Sequence, residues 1–97
     1  MLQNALERYN VVCRELGDLF HEKAKIDNAI LMDWDEAYMG AVATGLSYNP
    51  AAAQAKSAVR RWTIELNKIQ GKIDTALIEL RYLDQYIKYA APSTLIG

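Results

Sequence analysis

Ten apolar residues, Val59, Trp62, Leu66, Ile69, Ile73, Ala76, Leu80, Leu83, Ile87 and Ala90, follow one another at alternating intervals of three and four. Ala52 and Ala55 extend the series backwards. Such alternation keeps one edge of a helix facing a partner along its whole length, as in a coiled coil. A strand would show a period of two, so this half of the chain is predicted to be a single helix roughly 60 Å long.

The start of that helix is marked by Gly45-Leu46-Ser47-Tyr48-Asn49-Pro50. Asn is a good N-cap, and Pro suits the first helical position because its missing N–H would have no partner there. Gly45 suits the end of the preceding helix, where a left-handed residue is needed. Pro92 is expected to close the second helix. The expected organisation is one domain over 1–97, with a helix over 2–46, a turn at 47–49, a helix over 50–91 and a tail over 92–97.

The first segment is also helical in pattern. Leu2, Leu6, Tyr9, Cys13, Leu16, Phe20, Ala24, Leu31, Trp34 and Tyr38 form one stripe. Ala5, Val12, Leu19, Ile26 and Ile30 form a neighbouring one. A face this wide fits contact with more than one neighbour. Asp33 followed by Glu36 resembles a capping box, which leaves a kink near Asp33 as an alternative to an unbroken helix.

Charge gives the two segments a reason to pair. Residues 1–49 carry four basic and eight acidic side chains, and residues 50–97 carry seven and four. Folding the chain back at 47–49 sets Arg60 and Arg61 level with Asp35 and Glu36, Lys68 with Asp27, Lys72 with Glu22, Arg81 with Glu15 and Lys88 with Glu7. The expected fold is all-α: a long antiparallel two-helix hairpin. A bare hairpin buries only one edge of each helix, and Ile64, Ile78, Tyr82 and Tyr89 lie off that edge. Tyr offers large apolar area with a polar tip and is common at interfaces. Those four residues, with Trp34 and Tyr38 on the first segment, are the candidate interaction surface. A second copy, completing a four-helix bundle, is the expected cover.

Chemistry is sparse by comparison. Cys13 and His21, the single thiol and imidazole, are eight residues apart on one helix, roughly 12 Å, too far for a nucleophile–base pair. Cys13 reads as a small core residue and His21 as a solvated one. Asp33, Asp35 and Glu36 lack the loop that calcium requires and are better explained by capping and by pairing with Arg60 and Arg61. No catalytic residue, metal ligand or cofactor is assigned. Lys56, Arg60, Arg61, Lys68 and Lys72 form a basic stripe that could contact phosphates, but Trp62 belongs to the apolar edge and the acidic first segment competes for the cations.

Leu46-Ser47-Tyr48-Asn49-Pro50-Ala51 is similar to the turn of type III secretion needle proteins, although Asn-Pro is also a generic helix start. Ile73-Asp74 with Leu77-Ile78-Glu79-Leu80-Arg81 resembles the first helix of helical chorismate mutases, but there it opens the domain. Length, mid-chain turn and two helices look like the small secreted hairpins with a central Trp-x-Gly, where this chain reads Trp34-Asp35-Glu36. None of these covers enough of the chain to transfer residue roles.

The resulting expectation is a non-enzymatic interaction protein, pairing with itself and presenting a face to a larger protein partner in a secretion, viral or inhibitory setting. An enzyme with its site at the dimer interface, using Arg60, Arg61, Glu65 or Lys68, is the alternative, and a weak nucleic-acid binder is a third reading. No leader or membrane span is evident, so the expected location is the cytoplasm, with leaderless export left open.

Overall fold

A computed structural model describes the backbone of residues 1–96 and the side chains of residues 1–90. The protein is all-α. Its helices are α1 (Leu2–Ala43), α2 (Tyr48–Ala58) and α3 (Arg60–Ile96), with no strand among the described residues. None of the three is long and apolar enough to cross a membrane.

α1 runs unbroken through Asp33–Glu36, so the capping-box alternative is not used. The reason is visible in the side chain: Asp33 Oδ2 accepts the indole N–H of Trp62 at 2.7 Å instead of turning back to cap its own helix. The irregularity falls at Val59, between α2 and α3, where φ is −98° and ψ is 4°. Backbone bonds continue on both sides, from Val59 N to Ala55 O and from Thr63 N to Val59 O. The Thr63 hydroxyl also donates to Val59 O, at 3.3 Å. The hydrogen-bond ladder thus passes through Val59 although its dihedral angles leave the helical range.

α1 ends three residues before the expected 46, in a Schellman arrangement. Leu46 N–H donates to Ala41 O and Gly45 N–H to Val42 O, which satisfies two otherwise orphaned carbonyls. Gly45 has φ +95°, a conformation that carries no steric cost without a Cβ. α2 begins at Tyr48 rather than Pro50, with Ser47 as N-cap, Asn49 inside the helix and Ala51 N donating to Ser47 O. Pro50 therefore occupies the third helical position, still within the first turn whose N–H groups lack helical acceptors. α3 continues past Pro92 to Ile96, because a proline near a helix end removes one bond and the following residues stay helical. Gly97, the last residue of the expected tail, lies outside the described residues.

The packing falls into two compact units, Met1–His21 with Gly71–Gly97, and Glu22–Gln70. In the first, Ala5, Val12, Leu16, Ile73, Ala76 and Leu83 are buried, with Val12 and Ile73 losing essentially all contact with solvent. In the second, the core is Ile26, Ala41, Ala51, Ala55, Val59 and Ile69. No polar or charged residue is fully buried among the described residues.

Every member of the alternating series from Val59 to Ala90 is buried or half-buried. On α1 the covered edge differs from the expected stripe. It runs Leu2, Ala5, Tyr9, Val12, Leu16, Leu19, Lys23, Ile26, Ile30, Asp33 and Ala37, all buried or half-buried, at intervals of three and four throughout. Leu6, Cys13, Phe20 and Leu31 stand outside it and are exposed. Cys13 is thus a surface thiol, not a core residue.

Candidate interaction surface

Two helices that share an edge leave their flanks open, and the two flanks of the first unit differ in chemistry. Arg8 and Glu79 each sit one position before a core residue, Tyr9 and Leu80. Arg8 Nε and Nη2 donate to Glu79 Oε2 and Oε1 at 2.5 and 2.9 Å, and Glu15 approaches Arg8 Nη1 at 3.9 Å. Equivalent flanking positions meet in this way only when the two helices run antiparallel. The bidentate hydrogen bond, then the charge itself, holds the Arg8 guanidinium above its ordinary pKa and the Glu79 carboxyl below the usual carboxylate range.

The opposite flank takes the residues one position after the core: Leu6, Cys13 and Phe20 on α1, and Leu77 on α3. All four are exposed. The outward face of α3 in this unit carries Ile78, Tyr82 and Tyr89, which are 67%, 69% and 83% exposed. These three expected interaction residues therefore lie on one open apolar face. The sequence pattern places Leu6 and Phe20 on a wide apolar face and Cys13 in the core, and does not separate this exposed α1 flank from the buried edge beside it.

The second unit holds the other candidates. Trp34 and Tyr38 are half-buried and stacked on each other, with ring centroids 5.0 Å apart and planes 10° apart. Tyr48, at the start of α2, meets Tyr38 edge-on at 6.0 Å. The pair therefore serves first as an internal clasp across the turn. Ile64 is exposed and lines a shallow groove with Lys56, Arg60 and Thr63.

The basic stripe is partly engaged within the chain. Arg61 lies over the Trp62 ring, 4.9 Å from its centroid, and Lys68 pairs with Glu65 at 3.2 Å. Lys56, Arg60 and Lys72 are exposed. The expected pairings between helices, of Lys68 with Asp27 and of Lys88 with Glu7, give way to pairings within one helix, Lys68–Glu65 and Lys88–Asp84. Exposed ion pairs contribute so little that the nearest carboxylate one turn away wins over a distant one.

A second shallow groove in this unit, lined by Ala37, Gly40, Ala41, Thr44, Ser57 and Ala58, carries no titratable group and so offers no acid–base chemistry. Asp33 and Glu36 line a further depression, where the Asp33 carboxylate already accepts the Trp62 N–H. Among the described residues, no group of three His, Cys, Asp or Glu is placed to hold a metal ion. No family model matches the chain, and comparisons with curated proteins and with solved structures give no significant match.

Proposed function

We propose that the protein is a non-enzymatic interaction module: an antiparallel helical hairpin that associates with a second copy and presents an exposed apolar face to a larger protein. The observation that carries this reading is the placement of large exposed apolar side chains on the first unit, along both the α1 flank and the outward face of α3. Contiguous apolar surface of this kind marks interaction sites in soluble proteins. Tyr is suited to the role because it buries much area at little entropic cost while its hydroxyl stays hydrated. The apolar interiors of both units supply rigidity rather than a reaction cavity. A single thiol, with no intrachain disulfide possible, fits a reducing compartment, and the cytoplasm is where we place the protein.

Sedimentation equilibrium of the full chain tests the reading. The expected mass is twice the 10.9 kDa of one chain. A single-chain mass throughout the micromolar range refutes self-association.

A further inference from the structure

The outward face of α3 carries a second regular stripe. Gly71, Thr75, Ile78, Tyr82, Gln85 and Tyr89 follow one another at alternating intervals of four and three, on the side away from the buried edge. All six are exposed and none is charged. The Thr75 hydroxyl donates to Gly71 O at 3.0 Å, so its polar atom is already satisfied within the helix. Charged residues border the stripe on both sides: Asp74 and Arg81 on one, Lys72 and Glu79 on the other. Lys72 and Arg81 are exposed and, among the described residues, take part in no ion pair.

We propose that this stripe is the docking surface for a second copy, whose α3 lies antiparallel across it with Tyr82 against Gly71 and Ile78 against Thr75. This rests on the self-association proposed above and assigns it to α3, which leaves the α1 flank of Leu6, Cys13 and Phe20 for the larger partner.

Charge complementarity selects both the occupant and the register. A two-fold axis brings like flanks together and makes every contact twice. With Tyr82 facing Gly71, Arg81 falls two residues, about 3 Å along the axis, from Asp74 of the second copy on the same flank. On the other flank Lys72 falls equally close to Glu79 of the second copy, whose carboxylate also holds Arg8. Like charges stand further apart. Each of Asp74 and Glu79 is five residues, about 7.5 Å along the axis, from its own counterpart, and each of Lys72 and Arg81 is about 13 Å from its own. Sliding the helices by seven residues, so that Ile78 meets Tyr82, brings Arg81 within two residues of the other Arg81 and Glu79 within two of the other Glu79. The opposite slide does the same to Asp74 and Lys72. A parallel pairing turns Asp74 towards Glu79, acid against acid. Each flank thus carries one acid and one base seven residues apart, a pattern that is its own complement when reversed, and a second copy of α3 supplies that reversal. Size agrees with charge. A Cβ placed on Gly71 would meet nothing within 4 Å, so the space over that residue is open to the Tyr82 ring of the second copy.

Analytical ultracentrifugation of charge variants of the full chain provides the test, with far-UV circular dichroism to verify that each variant keeps its helix content. Arg81→Asp places two aspartates near each other at both symmetry-related contacts and should weaken the dimer about tenfold. Asp74→Arg places two arginines there and should weaken it similarly. An equimolar mixture of the two variants should pair as a mixed dimer of wild-type strength, since each then meets the opposite charge at both contacts, which no folding defect would produce. A mixture that stays as weak as its components overturns the register. A dimer that Arg81→Asp leaves intact overturns this assignment and leaves self-association standing. A wild-type chain that is monomeric overturns both.

Discussion

The indole N–H of Trp62 donates to Asp33 Oδ2 at 2.7 Å, joining two core-edge positions of different helices by a hydrogen bond inside an otherwise apolar contact. Both residues are half-buried, so neither partner is fully solvated if the other is lost. A polar pair in such an edge adds little to stability overall, but it is satisfied in one alignment only, which makes it a device for fixing register.

Asp33→Ala should therefore cost about 1–2 kcal/mol, because it leaves the indole N–H without an acceptor. Asp33→Leu should recover much of that loss by extending the apolar edge while relaxing the alignment. Urea denaturation of both variants and of Trp62→Phe, combined as a double-mutant cycle, measures the coupling. A coupling near zero removes the pair's role.

Burial separates residues that look alike in the sequence. Ile73 is 1% exposed, and Ile73→Ala should cost about 2–5 kcal/mol through lost burial and the cavity left behind. Leu80→Asp places a charge on the same edge and should unfold the chain or come close to it. Cys13→Ser, by contrast, should lie within about 0.5 kcal/mol of wild type because the thiol is at the surface. Thermal melts of the three variants check the order, and a large loss for Cys13→Ser would contradict the exposed placement.

The contrast between the two core edges shows what was legible in the sequence. From Val59 to Ala90 every edge position is apolar, so counting threes and fours finds the buried face directly. On α1 the same rule holds, but Lys23 and Asp33 occupy two of its positions. Between Leu2 and Phe20 the obstacle is a different one: Leu6, Cys13 and Phe20 lie beside an edge that is itself apolar, so counting apolar residues does not separate the buried edge from the exposed flank. A long Lys side chain can bury its stem and keep its ammonium in water, and Asp33 is accommodated by Trp62. Neither accommodation can be seen in one dimension. The turn was partly legible: Gly45 has the left-handed role its position implies, whereas Asn49-Pro50 proved compatible with a helix already begun at Tyr48. The irregular backbone at Val59 falls within an unbroken apolar series and carries no distinctive sign in the sequence. Of the candidate surface, the tyrosines were visible because they fall outside the counted edge, and the α1 flank was hidden by being mistaken for it.

The turn offers a backbone test. Gly45→Ala forces a Cβ into φ +95° and should destabilise by about 1–2 kcal/mol. The site itself is open, with nothing within 4 Å of the added carbon, so the cost is conformational rather than steric crowding by neighbours. Gly45→Asn should cost less, since Asn tolerates the left-handed region. Equal losses for the two variants in chemical denaturation would point away from the backbone angle as the cause.

The Arg8–Glu79 pair predicts a pH dependence of known sign. Its hydrogen bonds and charge lower the Glu79 pKa from an ordinary value of 4.5, so the folded state holds the carboxylate ionised where the unfolded chain begins to protonate it. Stability from this pair is therefore present above the ordinary carboxylate range and is lost as pH falls through the folded value. The raised pKa of Arg8 acts only in strong alkali and leaves the acid side unaffected. Arg8→Gln removes the charge that lowers the Glu79 pKa, so its stability deficit relative to wild type should be largest near neutral pH and should close as the pH approaches 3. Solvent screens this exposed pair, so the deficit will be small, and its dependence on pH is the diagnostic quantity. Urea midpoints for the two proteins at several pH values between 3 and 7 measure it; a deficit that stays constant across that range would show that Arg8 acts through packing of its stem rather than through the charge of Glu79.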